Sequence, residues 1–120
     1  YINEVGIKCV SPEQPIKELS GGNQQKVILA RWMCMNSKLL ILDEPTRGID
    51  VGAKVEIQKI ILMLAENGLG VLMISSELEE IIEGANKVFV LRNGHSVSKY
   101  EDQNIIESNI IKVMAGAQNE

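Results

Sequence analysis

An α/β fold, with parallel strands flanked by helices and a C-terminal β-hairpin, is what this sequence predicts, and three observations carry that expectation. Two short aliphatic runs, Leu39 to Leu42 and Val71 to Ile74, stand between helical patterns, as buried parallel strands do. Between them Ile57, Ile60, Ile61 and Leu64 fall at i, i+3, i+4 and i+7, the apolar stripe of a helix. Asn93-Gly94 separates two further runs and supplies the positive φ angles of a type I′ hairpin turn. Strands alternating with helices in so short a span imply a layered α/β architecture with a parallel sheet.

Each element has its own local reason. Tyr1 to Lys17 contains Pro12 and Pro15 and is expected to be a helix remnant followed by a loop. Leu19-Ser20-Gly21-Gly22 then introduces a helix from about Asn23 to Asn36, which Ser20 or Asn23 can cap. Its apolar residues, Val27, Ile28, Ala30, Trp32, Met33 and Met35, run most of the way round, so the pattern does not choose a buried face. Asp50 caps the central helix and Asn67-Gly68 ends it. Ser76 and Glu79 have capping-box spacing for a short acidic helix that turns Leu78, Ile81 and Ile82 inward and closes at Gly84. The hairpin runs from Lys87 to Arg92 and from His95 to Tyr100, which leaves His95 as a surface residue. Asn104 and Glu107 repeat the capping-box spacing before a last helix to Met114, with Ile106, Ile110 and Val113 on one face.

Composition narrows the function. A chain of 120 residues makes one domain at most, and with 3% aromatics its core is built from Ile, Leu, Val and Met. A net charge of −4 with no cluster of Lys and Arg argues against a nucleic-acid partner. No apolar run approaches the roughly 18 residues that a membrane span requires. Cys9 and Cys34 lie far apart without metal-ligand neighbours, so both are expected as free thiols. The chain opens on Tyr1, in the middle of what reads as folded sequence, as an excised piece would.

Two segments carry chemistry. Leu39-Leu40-Ile41-Leu42-Asp43-Glu44 puts carboxylates at the C-terminal tip of a strand, where α/β proteins place ligand sites. One acid there can help to hold Mg²⁺ and its neighbour can polarise an attacking water; the segment also fits two solvated carboxylates in a turn before Pro45. Ser20-Gly21-Gly22 ahead of a helix offers backbone N–H groups and a hydroxyl to an anion, though alone it reads more often as a flexible cap.

Together they say more. Leu19-Ser20-Gly21-Gly22-Asn23-Gln24-Gln25-Lys26, followed within about twenty residues by Leu39 to Thr46, resembles the signature and Walker B pair of ABC ATP-binding cassettes. Arg47-Gly48-Ile49-Asp50 resembles the family's D-loop and Ile74 to Glu80 its switch region, so the likeness covers Leu19 to Met114. It implies a partial P-loop NTPase fold. Residues 1–36 would be the end of the helical subdomain with the signature, and 37–120 would hold Walker B, D-loop, switch region, hairpin and final helix.

The spellings Ser20 to Lys26, Thr46 to Lys54 and Ser75 to Leu78 look like the second cassette of bacterial monosaccharide importers of the ribose, galactose and xylose kind. That resemblance implies ATP and Mg²⁺ as cofactors, with Asp43 the Mg²⁺-site carboxylate acting through water and Glu44 the catalytic base. It implies that Asp50 works across a cassette dimer, while Ser20, Gly21 and Gly22 clasp the γ-phosphate of a nucleotide on the opposite cassette. The implied partners are a second cassette on the same polypeptide, membrane permease subunits and, indirectly, a periplasmic sugar-binding protein, at the cytoplasmic face of the membrane. Two departures stand out. The sequence has no G-x-x-x-x-G-K-[ST], so a Walker A lobe is missing from it, and such a piece alone is expected to be inactive and to self-associate. Ser76 stands where the family's switch histidine is usual, and serine has neither a titrating ring nor its reach. Three readings follow: an ATPase coupled to sugar import, a largely non-catalytic cassette that completes its partner's site, and a DNA-repair or chromosome-maintenance ATPase lobe, against which the acidic balance counts.

Overall fold

A computed structural model describes residues 1–116, which form two compact units, Tyr1–Ile74 and the chain from Ser75 onward. In the first unit the order is a 3₁₀ turn at Ile16–Glu18, α1 (Gly21–Met33), β1 (Leu39–Asp43), α2 (Val51–Glu66) and β2 (Gly70–Ile74). β1 and β2 pair in parallel, with Leu40 opposite Val71, Leu42 opposite Met73 and Asp43 opposite Ile74.

The α2 stripe behaves as its spacing requires. Ile57, Ile60, Ile61 and Leu64 are buried together with Leu40, Leu42, Leu29 and Val5. Burying each such side chain stabilises the unit by about 1.5–3 kcal/mol. Asp50 caps α2 by accepting the Ala53 N–H at 3.0 Å, and Gly68 leaves the helix at a φ of +94°. The buried face of α1, which apolar pattern left open, is Gly22, Lys26, Leu29 and Ala30, whereas Trp32 and Ile28 stay partly in solvent.

Two expectations for this unit are not met. The first fifteen residues hold no helix; turns such as Val5 N–H to the Tyr1 carbonyl shape them, and Val5 alone is fully buried. Nor are the strands buried on both faces. Leu39, Ile41, Leu72 and Ile74 are about half exposed, because α1 and α2 pack on one side of the sheet and nothing else in this unit covers the other. A continuous aliphatic run reports the strand, not how many layers cover it.

The second unit contains α3 (Leu78–Gly84), β3 (Lys87–Arg92), β4 (His95–Glu101), a 3₁₀ turn at Asp102–Asn104 and α4 (Glu107–Met114). Asn93 and Gly94 take φ of 50° and 77°, as the hairpin requires, and His95 is exposed beside them. Val88, Val90 and Tyr100 pack against Ile105, Ile110 and Val113, with Leu78, Ile81 and Ile82 partly buried around them. Arg92 donates to the Val113 carbonyl at 3.1 Å, which also accepts the Gly116 N–H at 3.1 Å, and so ties β3 to the end of α4.

Neither capping box forms. The N-cap of α3 is Glu77 rather than Ser76, the helix begins at Leu78, and the Ser75 hydroxyl accepts the Glu77 N–H at 3.0 Å. Asn104 ends a 3₁₀ turn, its carbonyl taken by the Ile106 N–H, and α4 starts at Glu107 without a side-chain cap. As a result Ile105 is buried in place of Ile106.

Candidate functional site

Ser20 heads α1 in an extended conformation. Its Oγ accepts from the Asn23 N–H at 3.3 Å and from Asn23 Nδ2 at 2.8 Å. A hydroxyl has two acceptor lone pairs and one proton to give, so with both lone pairs engaged the O–H is set to donate. Asn23 is itself held, because its Oδ1 accepts the Lys8 N–H at 2.9 Å. A hydroxyl donor beside first-turn backbone N–H groups, at the positive end of a helix, is an arrangement suited to a phosphate oxygen.

The two glycines divide. Gly21 is exposed, and a Cβ there would meet no atom within 4 Å. Gly22 is buried against the start of α2, where a Cβ would stand 2.6 Å from the Ala53 Cβ and 3.7 Å from Ile49 Cγ2. Gly22 thus lets two helix N-termini approach closely, and it brings the Ser20 end of α1 to the Asp50 end of α2.

The other candidate residues lie at the tip of β1. Asp43 is exposed on the open face of the sheet. Glu44 is half-buried and takes φ +48°, a left-handed conformation that costs a bulky residue about 1–3 kcal/mol. Its N–H bonds the Ile74 carbonyl at 2.8 Å and its carbonyl receives the Arg47 N–H at 3.2 Å. From there Thr46, fully buried, accepts the Ile49 N–H and leads the chain to Asp50. Asp43, Glu44, Asp50, Ser20, Gly21 and Gly22 therefore belong to one unit. Ser76 belongs to the other and is exposed in the loop before α3.

Mg²⁺ prefers hard oxygen ligands and keeps several waters, taking one or two carboxylates and phosphate oxygens. An accessible Asp43 next to Glu44 fits that donor set, and the described residues hold no cluster of three His, Cys, Asp or Glu that would cage an ion alone. Neither acid lines the groove of about 270 Å³ in the same unit, which lies among Tyr1, Ile7, Cys9, Leu19, Val27 and Cys34. Both cysteines are free thiols.

Sequence reasoning missed Lys26. It lies on the buried face of α1, 3% exposed, with its ammonium bonded to the Glu56 carboxylate and, at 3.1 Å, to the Gly6 carbonyl. The pairing holds the Glu56 carboxyl below the usual carboxylate range, through the Lys26 hydrogen bond and its charge. A lysine at i+4 from Gly22 was the available signal, because that places both on one helix face.

Residues 1–47 match the family model described as ABC transporter. The chain is 47% identical over 116 residues to a fructose import ATP-binding protein of Bifidobacterium longum, across 96% of this chain and 23% of that protein. It is 46% identical to a ribose import ATP-binding protein of Geobacillus kaustophilus, across 97% of this chain and 24% of the relative. A galactofuranose transporter ATP-binding protein of Escherichia coli K12 is 52% identical over 99 residues, 82% of this chain and 20% of that one. The chain thus spans about a quarter or less of the length of these curated relatives. Among solved structures, an ATP-binding cassette of an ABC transporter in its ADP conformation superposes with a TM-score of 0.68 at 27% identity, over 82% of this chain and 37% of that one. A Clostridium perfringens protein that is part of an ABC transporter complex gives 0.76 at 27% identity, over 93% and 45%. These neighbours share the α/β cassette fold that the sequence predicts.

Proposed function

We propose, on the footing that this chain is an ABC transporter ATPase cassette homologous to sugar-import ATP-binding proteins, that it works in the ATPase of a bacterial sugar importer. Within that reading it is the second of two cassettes on one polypeptide, at the cytoplasmic face of the membrane, joined to permease subunits and served by a sugar-binding protein. No helix among the described residues is long and apolar enough to cross a membrane, which suits a peripheral subunit.

Bound Mg-ATP supplies the phosphoryl group and the metal charge, so the chain's own part is positioning and electrostatics. Asp43 offers one carboxylate to the hydrated metal. Glu44, fixed at the strand tip by its bonds to Ile74 and Arg47, orients the attacking water and accepts its proton. Ser20 donates its O–H, and the first turn of α1 its N–H groups, to the γ-phosphate held by the opposite cassette. That donation stabilises charge that grows in the transition state. Asp50, at the head of α2, faces the same dimer boundary. The observation that supports this reading is the Ser20 hydroxyl, which accepts from both the Asn23 N–H and Asn23 Nδ2 and so has its O–H left to donate.

Ser76 favours a second reading, in which this cassette hydrolyses slowly and mainly completes its partner's site. Steady-state turnover of the intact transporter, normalised for assembled complex, tests both. Gly21→Val puts a side chain where an added Cβ meets no atom within 4 Å, and it obstructs phosphate approach. It is expected to lower turnover far more than Glu44→Gln does. Abolition by Glu44→Gln with most turnover kept in Gly21→Val would reverse the assignment of the weaker site. No effect from either would remove the ATPase reading.

A further inference from the structure

We propose that Lys26 is a positioning residue that locks the signature turn and the D-loop into one rigid element; this rests on Ser20-Gly21 clasping a phosphate in trans. A buried ammonium is tolerated only when its protons find partners. Lys26 has two, the Glu56 carboxylate on α2 and the Gly6 carbonyl of the N-terminal turn. The bond to Glu56 sits in register with a second contact. Gly22 touches Ala53, and one turn further along each helix Lys26 meets Glu56. One contact between two helices is a pivot; two on successive turns fix both rotation and slide.

What the pair of contacts holds is functional. Ser20 and Gly21 head α1 and Asp50 heads α2, each within a turn of the Gly22–Ala53 contact. With rotation and slide fixed, the hydroxyl of Ser20 and the carboxylate of Asp50 enter the dimer boundary together. Lys26 touches no nucleotide in this arrangement. It sets the angle at which others do, and the Gly6 carbonyl extends the lock to the segment before the signature.

The test uses the intact transporter with Mg-ATP as the probe, in a background with Cys9 and Cys34 replaced by Ser. Lys26→Met keeps the buried volume but loses the directional pair, Glu56→Gln loses the charge from a half-exposed partner, and Lys26→Arg keeps the charge. Spin labels at Arg31→Cys and Lys59→Cys, both on exposed positions, report the α1–α2 geometry. Lys26→Met and Glu56→Gln are expected to broaden that distance distribution. They should also lower kcat by about tenfold or more, because a misplaced clasp of roughly 1 Å loses that much. KM for ATP should stay within about twofold, since the clasp engages after binding, and Lys26→Arg should restore much of the turnover. If Lys26→Met fails to assemble, Glu56→Gln carries the test. Unchanged turnover in these variants, or a loss of turnover with an unchanged distance distribution, overturns the proposal while leaving the signature reading intact. An unchanged Gly21→Val overturns the signature reading, and the role of Lys26 falls with it.

Discussion

Replacing Gly22 with Ala adds a single carbon where α1 meets α2. That carbon would stand 2.6 Å from the Ala53 Cβ, whereas packed carbons sit about 3.5–4.0 Å apart. The two helix N-termini must therefore separate by roughly 1 Å, and overpacking of this kind costs about 1–3 kcal/mol. Alanine recovers about 0.5–1 kcal/mol over glycine inside a helix. The net loss is at most about 2.5 kcal/mol, or a melting temperature lower by up to roughly 10–15 °C for a domain of this size. Gly21→Ala, one residue away with no neighbour to meet, is the control and should lose nothing. In an Ala53→Gly background the opposing carbon is gone, so Gly22→Ala should cost little. The cycle should then show a coupling equal to the overpacking cost, about 1–3 kcal/mol. Thermal unfolding of the four proteins measures it. If Gly22→Ala melts like Gly21→Ala, or costs the same in both backgrounds, the close approach is not what Gly22 is for.

Four further outcomes are expected. Glu56→Gln should lower stability near neutral pH and converge with the parent in acid. The folded Glu56 pKa is depressed by Lys26, so the pair's stabilisation is present above the ordinary glutamate value of about 4.3 and is lost as pH falls through the lowered one. Denaturation midpoints from about pH 7 to about pH 3 check this, and a constant gap contradicts it. Gly94→Ala, at φ +77°, should destabilise the hairpin by about 1–2 kcal/mol, read by the same melts. Under the reading in which this cassette hydrolyses slowly, Ser76→His should raise ATP turnover of the intact transporter by about tenfold or more, and unchanged turnover would exclude the missing imidazole as the cause. Calorimetry on the 120-residue chain with Mg-ATP should show no saturable micromolar binding, since it has no glycine loop with its lysine to cradle the phosphates.

What was legible in the sequence was what short-range pattern encodes. Both strands, the α2 stripe, the Asp50 cap and the Asn93-Gly94 turn each depend on residues close in the chain, and each formed where expected. The capping boxes at Ser76 and Asn104 did not form, because spacing permits a cap while the start of the helix decides it, and both helices begin later. The buried face of α1 was hidden for a different reason. Two of its four buried residues are Gly22 and Lys26, which an apolar pattern does not count. Among the candidate residues, the helix caps at Ser20 and Asp50 were readable from local spacing. The division of labour between Gly21 and Gly22 was not, because it depends on Ala53, about thirty residues away. The half-covered sheet was equally hidden, since an aliphatic strand looks the same under one layer as under two.

The left-handed backbone at Glu44 makes that position answer to two selections that pull apart. Glycine there would relax the strain and yield more folded protein, yet it would delete the carboxylate. A mutant library screened for abundance should enrich glycine at 44, whereas, under the proposed reading, the same library selected for sugar import should purge it. At position 44 a gain in yield is a poor guide to fitness, and opposite enrichment in the two screens would separate a residue kept for its chemistry from one kept for its shape.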